Sequence, residues 1–526
     1  LLSSEIILSR LAEWREKNSL PIVPMAEETA REKLFAAGLT EEEIDAKKSD
    51  INPPHARILA SYTDLHGLDR LREIDRAWAS GIAERAIASI EEKPDVQFLR
   101  AVFQASEIAL LNLTSLVKRS QEDIKNGDFD SAGDKQAWID SFQHTLLELS
   151  NLAGKYAPHE KAERSIRFTH SPHLKEYTSA LEDYHAAILE CEISAPEEIG
   201  WKDLHDSGRR ISFNAFNNET YESIWRLHMD GIPLPAIEGT QALDDVEFYK
   251  QFVGTDNLEL AVSEVTQKGD NFFTQFRAYH QMSEIFCQYA NRRFDAVICK
   301  LLDPGSNLMA AEEELGQLAD ALAIIEHNVH PILRNLTLNK YQDIRGSLGI
   351  TSGSHSPNVR KGLFVNIYPL LVESVMYRLA DNQLLGDGKL QEQLQKIVED
   401  RNANPDAHVR HQVMKHVQDI HSTIRTWRDL HMQFVKTQIG ASPMHHTASI
   451  SGARNAHFSA GAMRYGGHVN EPAIPILSAL NPMEYATPEN PRDSTASTEF
   501  SAVMGDNTAK VIRERSAEIQ DRVTRR

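Results

Sequence analysis

The chain has 526 residues, 41% of them hydrophobic and 25% charged, and its 76 Asp and Glu against 56 Lys and Arg leave a net charge of −20. That composition is globular rather than disordered and leaves room for about two to four domains. With no basic patch and no cationic amphipathic helix, the acidic balance argues against a nucleic-acid or anionic-membrane partner and favours small-molecule work. Cys191, Cys287 and Cys299 are too few and too scattered for a disulfide framework or a cysteine-ligated metal centre. No CxxCH segment is present for covalent haem attachment, and a reducing cytoplasm fits.

From the start, Leu1 to Arg15 reads as a charged amphipathic helix rather than a signal peptide, and no stretch approaches the roughly 18 apolar residues of a membrane span. Helical periodicity then dominates, so the expected fold is all-α. Breaks fall near Ile51 to Pro54, around Ser194 to Gly200, at Gly231 to Gly239 ("GIPLPAIEG") and from Pro472 onward. These divide the chain into a helical extension (1–60), a first helical domain (61–235), a second (236–480), and a polar linker with a last charged helix (481–526).

Within the second domain, "DNFFTQFRAYHQMSEIF" (Asp270 to Phe286) sets Phe272, Phe276, His280 and Ser283 on one helical face. "LGITSGSHSPNVRKGLF" (Leu348 to Phe364) is a Gly/Ser-rich turn leading through Pro357 to Arg360, a guanidinium able to fork onto a carboxylate. Further on, Asp406 is the expected cap of a long helix that runs to Gly440. Its apolar stripe, Val409, Val413, Val417, Ile420, Ile424 and Trp427, continues into His431 and Phe434. His431 therefore points inward. His408, His411, His416 and His421 fall mostly off that stripe and read as solvated or capping residues. For a lone histidine on an apolar face, the plain reading is a core residue whose ring nitrogens are satisfied by neighbours.

The three segments together outweigh that plain reading, because they resemble the haem-dependent tryptophan 2,3-dioxygenase and indoleamine 2,3-dioxygenase superfamily, closest to its tryptophan dioxygenase branch. The family's distal pattern F-x-x-x-H-Q-x-x-E is met by Phe276, His280, Gln281 and Glu284. Its loop S-G-F-Q-S-x-x-x-R is met in spacing by Ser352, Gly353, Ser356 and Arg360, with Ser354 and His355 in place of Phe and Gln. The proximal W-R-x-x-H pattern is met by Trp427, Arg428 and His431, followed by Val435, Ile439, Gly440, Thr447, Ser451 and Gly452. The resemblance covers about Asp270 to Gly467.

That resemblance implies a helical bundle enclosing a b-type haem in the second domain, with O2 as co-substrate. It makes His431 the axial ligand of the iron, with Trp427, Arg428 and Gly452 beside the haem. Arg360 would hold the carboxylate and Thr447 the ammonium of an indole amino acid, Phe276 would pack on the ring, and His280 would meet the indole N–H. His280 and Arg360 are then the catalytic pair. The family reaction inserts O2 across the indole C2–C3 bond to give N-formylkynurenine. Because Ser354 and His355 make the pocket beside Arg360 wider and more polar, a related aromatic substrate stays open. Two other outcomes stay open as well: a different haem-dependent oxidation, as in pyrrolnitrin synthesis, and a non-catalytic haem-binding sensor. The family allows a homodimer or a homotetramer.

An echo in the first half bears on how many haems to expect. "FQASEI" (Phe103 to Ile108) parallels "HQMSEI" (His280 to Ile285), "THSPHLK" (Thr169 to Lys175) parallels "SHSPNVR" (Ser354 to Arg360), and "WRLHM" (Trp225 to Met229) parallels "WRDLHM" (Trp427 to Met432). The order is shared, which reads as a degenerate internal duplication; chance matches of short motifs are the alternative, since no fixed period links them. Phe103 and Lys175 stand where the distal histidine and the arginine would be, and His228 lies just before a Gly/Pro-rich break, so one haem per chain is expected. "SYTDLHGLDRL" (Ser61 to Leu71) resembles the family's amino-terminal segment, which in tetramers helps complete a neighbour's pocket.

Overall fold

The computed structural model describes residues 9, 66–68, 71, 94–156, 164–194, 232–234, 243–266, 271–337, 340–341, 356, 368–383, 387–435 and 474–480. Among these, helices account for nearly everything. In chain order they are α1 (Pro94–Lys125), α2 (Phe129–Lys155), α3 (Pro172–Ser194), α4 (Asp245–Val253), α5 (Thr255–Thr266) and α6 (Asn271–Leu302). There follow α7 (Leu308–His327), α8 (Val329–Asn335), α9 (Tyr368–Leu379), α10 (Asp387–Asp400), α11 (Pro405–Val435) and α12 (Ile474–Leu480). The exception is a short antiparallel pair, β1 (Arg164–Ile166) with β2 (Ile232–Leu234), in the register Arg164 to Leu234. β2 lies in the stretch expected only as a break: Pro233 cannot continue a helix, and a two-stranded pairing uses the extended backbone instead.

Local chemistry accounts for the element ends. Asp244 caps α4 by accepting from the Glu247 N–H at 2.8 Å, and Gly254 closes it in the left-handed region at φ 79°. The start of α11 differs from the expected Asp406 cap. Asn404 caps instead, its Oδ1 accepting from the Asp406 N–H at 3.0 Å, because Pro405 takes the first helical position where no N–H is needed. Asp406 pairs with Arg410 one turn on, at 2.7 Å.

The long helices α1 and α6 pack on each other, α1 against α2 and α3, and α6 against α7 and α9. One continuous core runs through both halves of the chain. At its centre Tyr279 of α6 stacks on Phe142 of α2, with ring centroids 4.6 Å apart, while Phe98 of α1 meets Tyr289 of α6 edge-on. The first half thus buries its apolar face against the second. α11 lies along α7, and α10, α9, α8 and α12 also touch it. Being gripped on several sides, α11 buries more than one stripe. His421, expected in solvent, is buried and hydrogen-bonded to the Tyr368 hydroxyl at 3.1 Å, and His416 is part-buried against Glu312 at 2.9 Å. No helix among the described residues is long and apolar enough to cross a membrane.

Candidate functional site

α6 carries Phe276 and His280 one turn apart, so their side chains lie on one face. The Phe276 ring sits 4.3 Å from the His280 ring, tilted by 42°. The His280 Nδ1 lies 2.8 Å from the Phe276 carbonyl oxygen, which can only accept, so Nδ1 carries the proton and donates. His280 Nε2 is then the nitrogen that offers a lone pair. Near the other end of this arrangement, at the last turns of α11, Trp427 and His431 are likewise one turn apart and stack in parallel, centroids 5.4 Å apart.

The two histidines, 151 positions apart in sequence, come into electrostatic reach of each other. Both residues are part-buried. Desolvation nonetheless pushes the His431 pKa down to about 4, and a charge on His280 would push it further the same way. His280 is also driven down to about 4, first by desolvation and then by the charge of Arg277, against the raising effect of the Phe276 carbonyl. Both imidazoles are therefore neutral at physiological pH. Their helices are joined through α7, against which each packs, rather than by extensive contact with each other.

A third ring arrives from the first half. His66, buried, stacks on His280 with centroids 4.7 Å apart and planes 14° apart. Its backbone is fastened from α6, where the Gln281 side-chain amide donates to the His66 carbonyl at 2.9 Å and to the Ala261 carbonyl of α5 at 3.1 Å. Gly67 turns the chain there at φ 60°, and a Cβ would sit 3.3 Å from the Ala261 carbonyl oxygen. Gly67→Ala combines left-handed backbone, roughly 1–2 kcal/mol for a residue with a Cβ, with that close approach. Urea unfolding should show a loss of about 2 kcal/mol; a change indistinguishable from zero would mean that the turn relaxes freely.

Acid should weaken the protein through the same rings. The His66 pKa lies well below its ordinary value, by desolvation first and then by the charges of His280 and Arg277. A histidine whose folded pKa is depressed contributes fully above its unfolded value of about 6.5 and loses that contribution as pH falls towards the folded value. Thermal unfolding of the apo-protein should therefore weaken from about pH 6.5 down to about 4, and His280→Phe should flatten that profile. An unchanged profile in the variant would remove His280 from the account.

Of the other expected site residues, Arg360, Thr447, Ser354, His355 and Gly452 lie outside the described residues, as does the side chain of Arg428. From the expected carboxylate loop only Ser356 is described, and it is buried. Sequence reasoning missed His66 as a member of the site; its one signal was the resemblance of "SYTDLHGLDRL" to a pocket-completing segment. It also missed a buried polar cluster in the first half. Glu107 of α1 is fully buried, accepts from the Tyr249 hydroxyl of α4, and meets His173 Nδ1 of α3 at 2.5 Å.

Among the described residues no group of three or more His, Cys, Asp or Glu side chains is placed to hold a bare metal ion. An iron already held by a porphyrin needs only one or two protein ligands, and the form of histidine that ligates it is the neutral imidazole. The donor chemistry of His431 and His280 fits that requirement. Comparisons with protein-family profiles, curated protein sequences and solved structures each found no match.

Proposed function

We propose that the chain is a haem-dependent dioxygenase acting on tryptophan or a related indole amino acid, with His431 as the axial ligand and His280 on the substrate side. The observation that carries this reading is that two neutral, part-buried histidines, each with an aromatic ring one turn away, lie within electrostatic range of each other on helices that share a neighbour and do not close on each other. In the bound state the haem would supply O2 activation, the chemistry that amino-acid side chains cannot.

The chain's own residues would do the placing. His431, on a 31-residue helix with Trp427 stacked against it, gives a ligand of fixed orientation. His280, with Nδ1 tied to the Phe276 carbonyl, presents Nε2 as an acceptor for an indole N–H, and Phe276 packs beside the ring that brings it. Arg360 would pair with the substrate carboxylate and Thr447 with its ammonium, in a pocket that Ser354 and His355 make more polar. Exclusion of water from such a pocket would strengthen each such contact.

The first half would serve the site rather than duplicate its chemistry. In α1, Arg100 Nε donates to the Phe252 carbonyl at 2.7 Å and Gln104 to the Val253 carbonyl at 3.2 Å, just before Gly254. In α6, Gln281 grips the His66 carbonyl just before Gly67. Each long helix thus holds a Gly-ended turn, and the turn that precedes α1 is held by α6. This supports a degenerate duplication whose halves exchange their leading segments. Phe103, packed edge-on against Tyr249, stands where His280 stands in the second half and cannot ligate.

The test is absorption spectroscopy of the protein reconstituted with haem, with and without tryptophan, followed by mass spectrometry of the product formed under reductant and O2. The expected result is a Soret band perturbed by tryptophan and a product heavier by both atoms of O2. A six-coordinate, CO-inert ferrous spectrum with no turnover would replace the dioxygenase by a sensor in which both histidines are ligands. Arg360→Ala should weaken tryptophan binding on the order of 30-fold or more, since removing one partner of a desolvated charge pair costs about 2–5 kcal/mol, and leave indole nearly unaffected. Equal responses of the two would remove Arg360 from carboxylate recognition.

A further inference from the structure

We propose that His66 is a positioning residue for His280, so that the first half of the chain sets the direction of the site's acceptor nitrogen. The proposal rests on the reading of His280 as the substrate-side histidine. A hydrogen bond from Nδ1 to a backbone carbonyl fixes one point of an imidazole but leaves the ring free to tilt about it. Here two flat neighbours remove the remaining freedom. His66 covers a face at 4.7 Å and 14°, Phe276 stands at 4.3 Å and 42°, and the His66 and Phe276 centroids are 6.4 Å apart. Those separations set the two neighbours at a near right angle as seen from His280. Each neighbour blocks a tilt towards itself, so the two together restrict the ring in two directions.

Positioning requires that His66 itself not move, and its surroundings provide that. Its carbonyl is held by Gln281, which sits beside His280 in the sequence of α6, so the same helix fixes the residue and its platform. The following Gly67 has left-handed backbone with the Ala261 carbonyl oxygen, the Gln281 amide and the Arg277 guanidinium all within reach of an added Cβ. The His66 side chain is buried, and its backbone is held at the carbonyl and at the turn that follows. What matters in this role is a flat face of the right size, not the imidazole's protons.

The experiment compares His66→Phe, which keeps a flat ring, with His66→Leu, which fills similar volume without one. Histidine-selective 15N labelling of the apo-protein reads the His280 ring through its two-bond nitrogen–proton correlations, assigned with His280→Gln. In the wild type and in His66→Phe the expected pattern is a single Nδ1–H tautomer. In His66→Leu the His280 signals should broaden and move towards the average of the two tautomers. On the haem-loaded enzymes, His66→Leu should lower kcat about tenfold with little change in KM, and His66→Phe should restore it. Identical His280 spectra in all three proteins, or equal disturbance by Phe and Leu, would overturn the proposal. Failure of the wild type to bind haem would instead overturn the dioxygenase reading, and the apo-protein spectra would still decide the role of His66.

Discussion

His431→Ala should abolish the Soret band of the reconstituted protein, or raise the apparent Kd for haem on the order of 100-fold or more. Even outer contacts to a metal ligand commonly change affinity by 10–100-fold, and loss of the ligand itself exceeds that. The variant should still fold. His431 is part-accessible and near the end of the described part of α11, far along the helix from the Val413, Val417 and Ile420 contacts that anchor it in the core. Circular dichroism that matches the wild type, together with partial recovery of the spectrum by added imidazole, would tie the loss to the missing ligand. Full haem retention with an unchanged ferrous-CO spectrum would refute the assignment. Haem stoichiometry by pyridine haemochrome adds a second reading: one per chain is expected, and two would mean that the first half kept a cofactor.

The largest effect on stability is expected at Glu107. Its carboxylate is fully buried between the Tyr249 hydroxyl and His173, and removing one partner of a buried, hydrogen-bonded charge pair costs about 3–5 kcal/mol. Glu107→Ala should lower the unfolding free energy by about that much. The pH dependence identifies the partner. Burial opposes charge on His173, but the hydrogen bond and charge of Glu107, with Glu259 and Glu176 beyond, outweigh it and raise the His173 pKa. A histidine raised in the folded state contributes fully below its unfolded value of about 6.5 and loses that contribution as pH rises through the folded value. Burial and the neighbouring carboxylate push the Tyr249 hydroxyl well up, so it remains a donor throughout this window. The difference between wild type and Glu107→Ala should therefore be larger at pH 6 than at pH 9. A difference equal at both pH values would show that His173 holds Glu107 without its charge.

Periodicity made α6 and α11 legible, because a helix with one buried face writes that face into its sequence. The placement of Phe276, His280 and His431 on these helices could be read for the same reason. It failed where a helix is enclosed on more than one side: the stripe of α11 gave no sign that His421 would reach Tyr368. Capping was misread by two residues, since both Asp406 and Asn404 are good caps and only the proline between them favours the earlier one. The echo between the halves was visible as short motifs, but not the hold of Gln281 on the turn at His66, a contact spanning 215 positions. The Glu107 cluster assembles from α1, α3 and α4, and no local pattern marks three such separate residues as neighbours. Direct resemblance supplied Arg360 and Thr447, whose positions fall outside the described residues.

The grip of Gln281 on the turn before Gly67 fixes an order of events during synthesis. Residues 66–68 leave the ribosome some two hundred residues before their platform exists, and at about 5–20 residues per second they wait ten seconds or more. Contacts of such separation close late, after the local helices have formed and paired. The face that His66 covers is the same one that His280 needs covered, so neither ring is settled until the halves have docked. α11, which brings His431, emerges later still. A chain cut short before α11 never brings His431 within range of the stacked His66 and His280. On the proposed reading, a ligand held between those histidines would reward only a chain long enough to carry all of them, and by binding would favour the folded state.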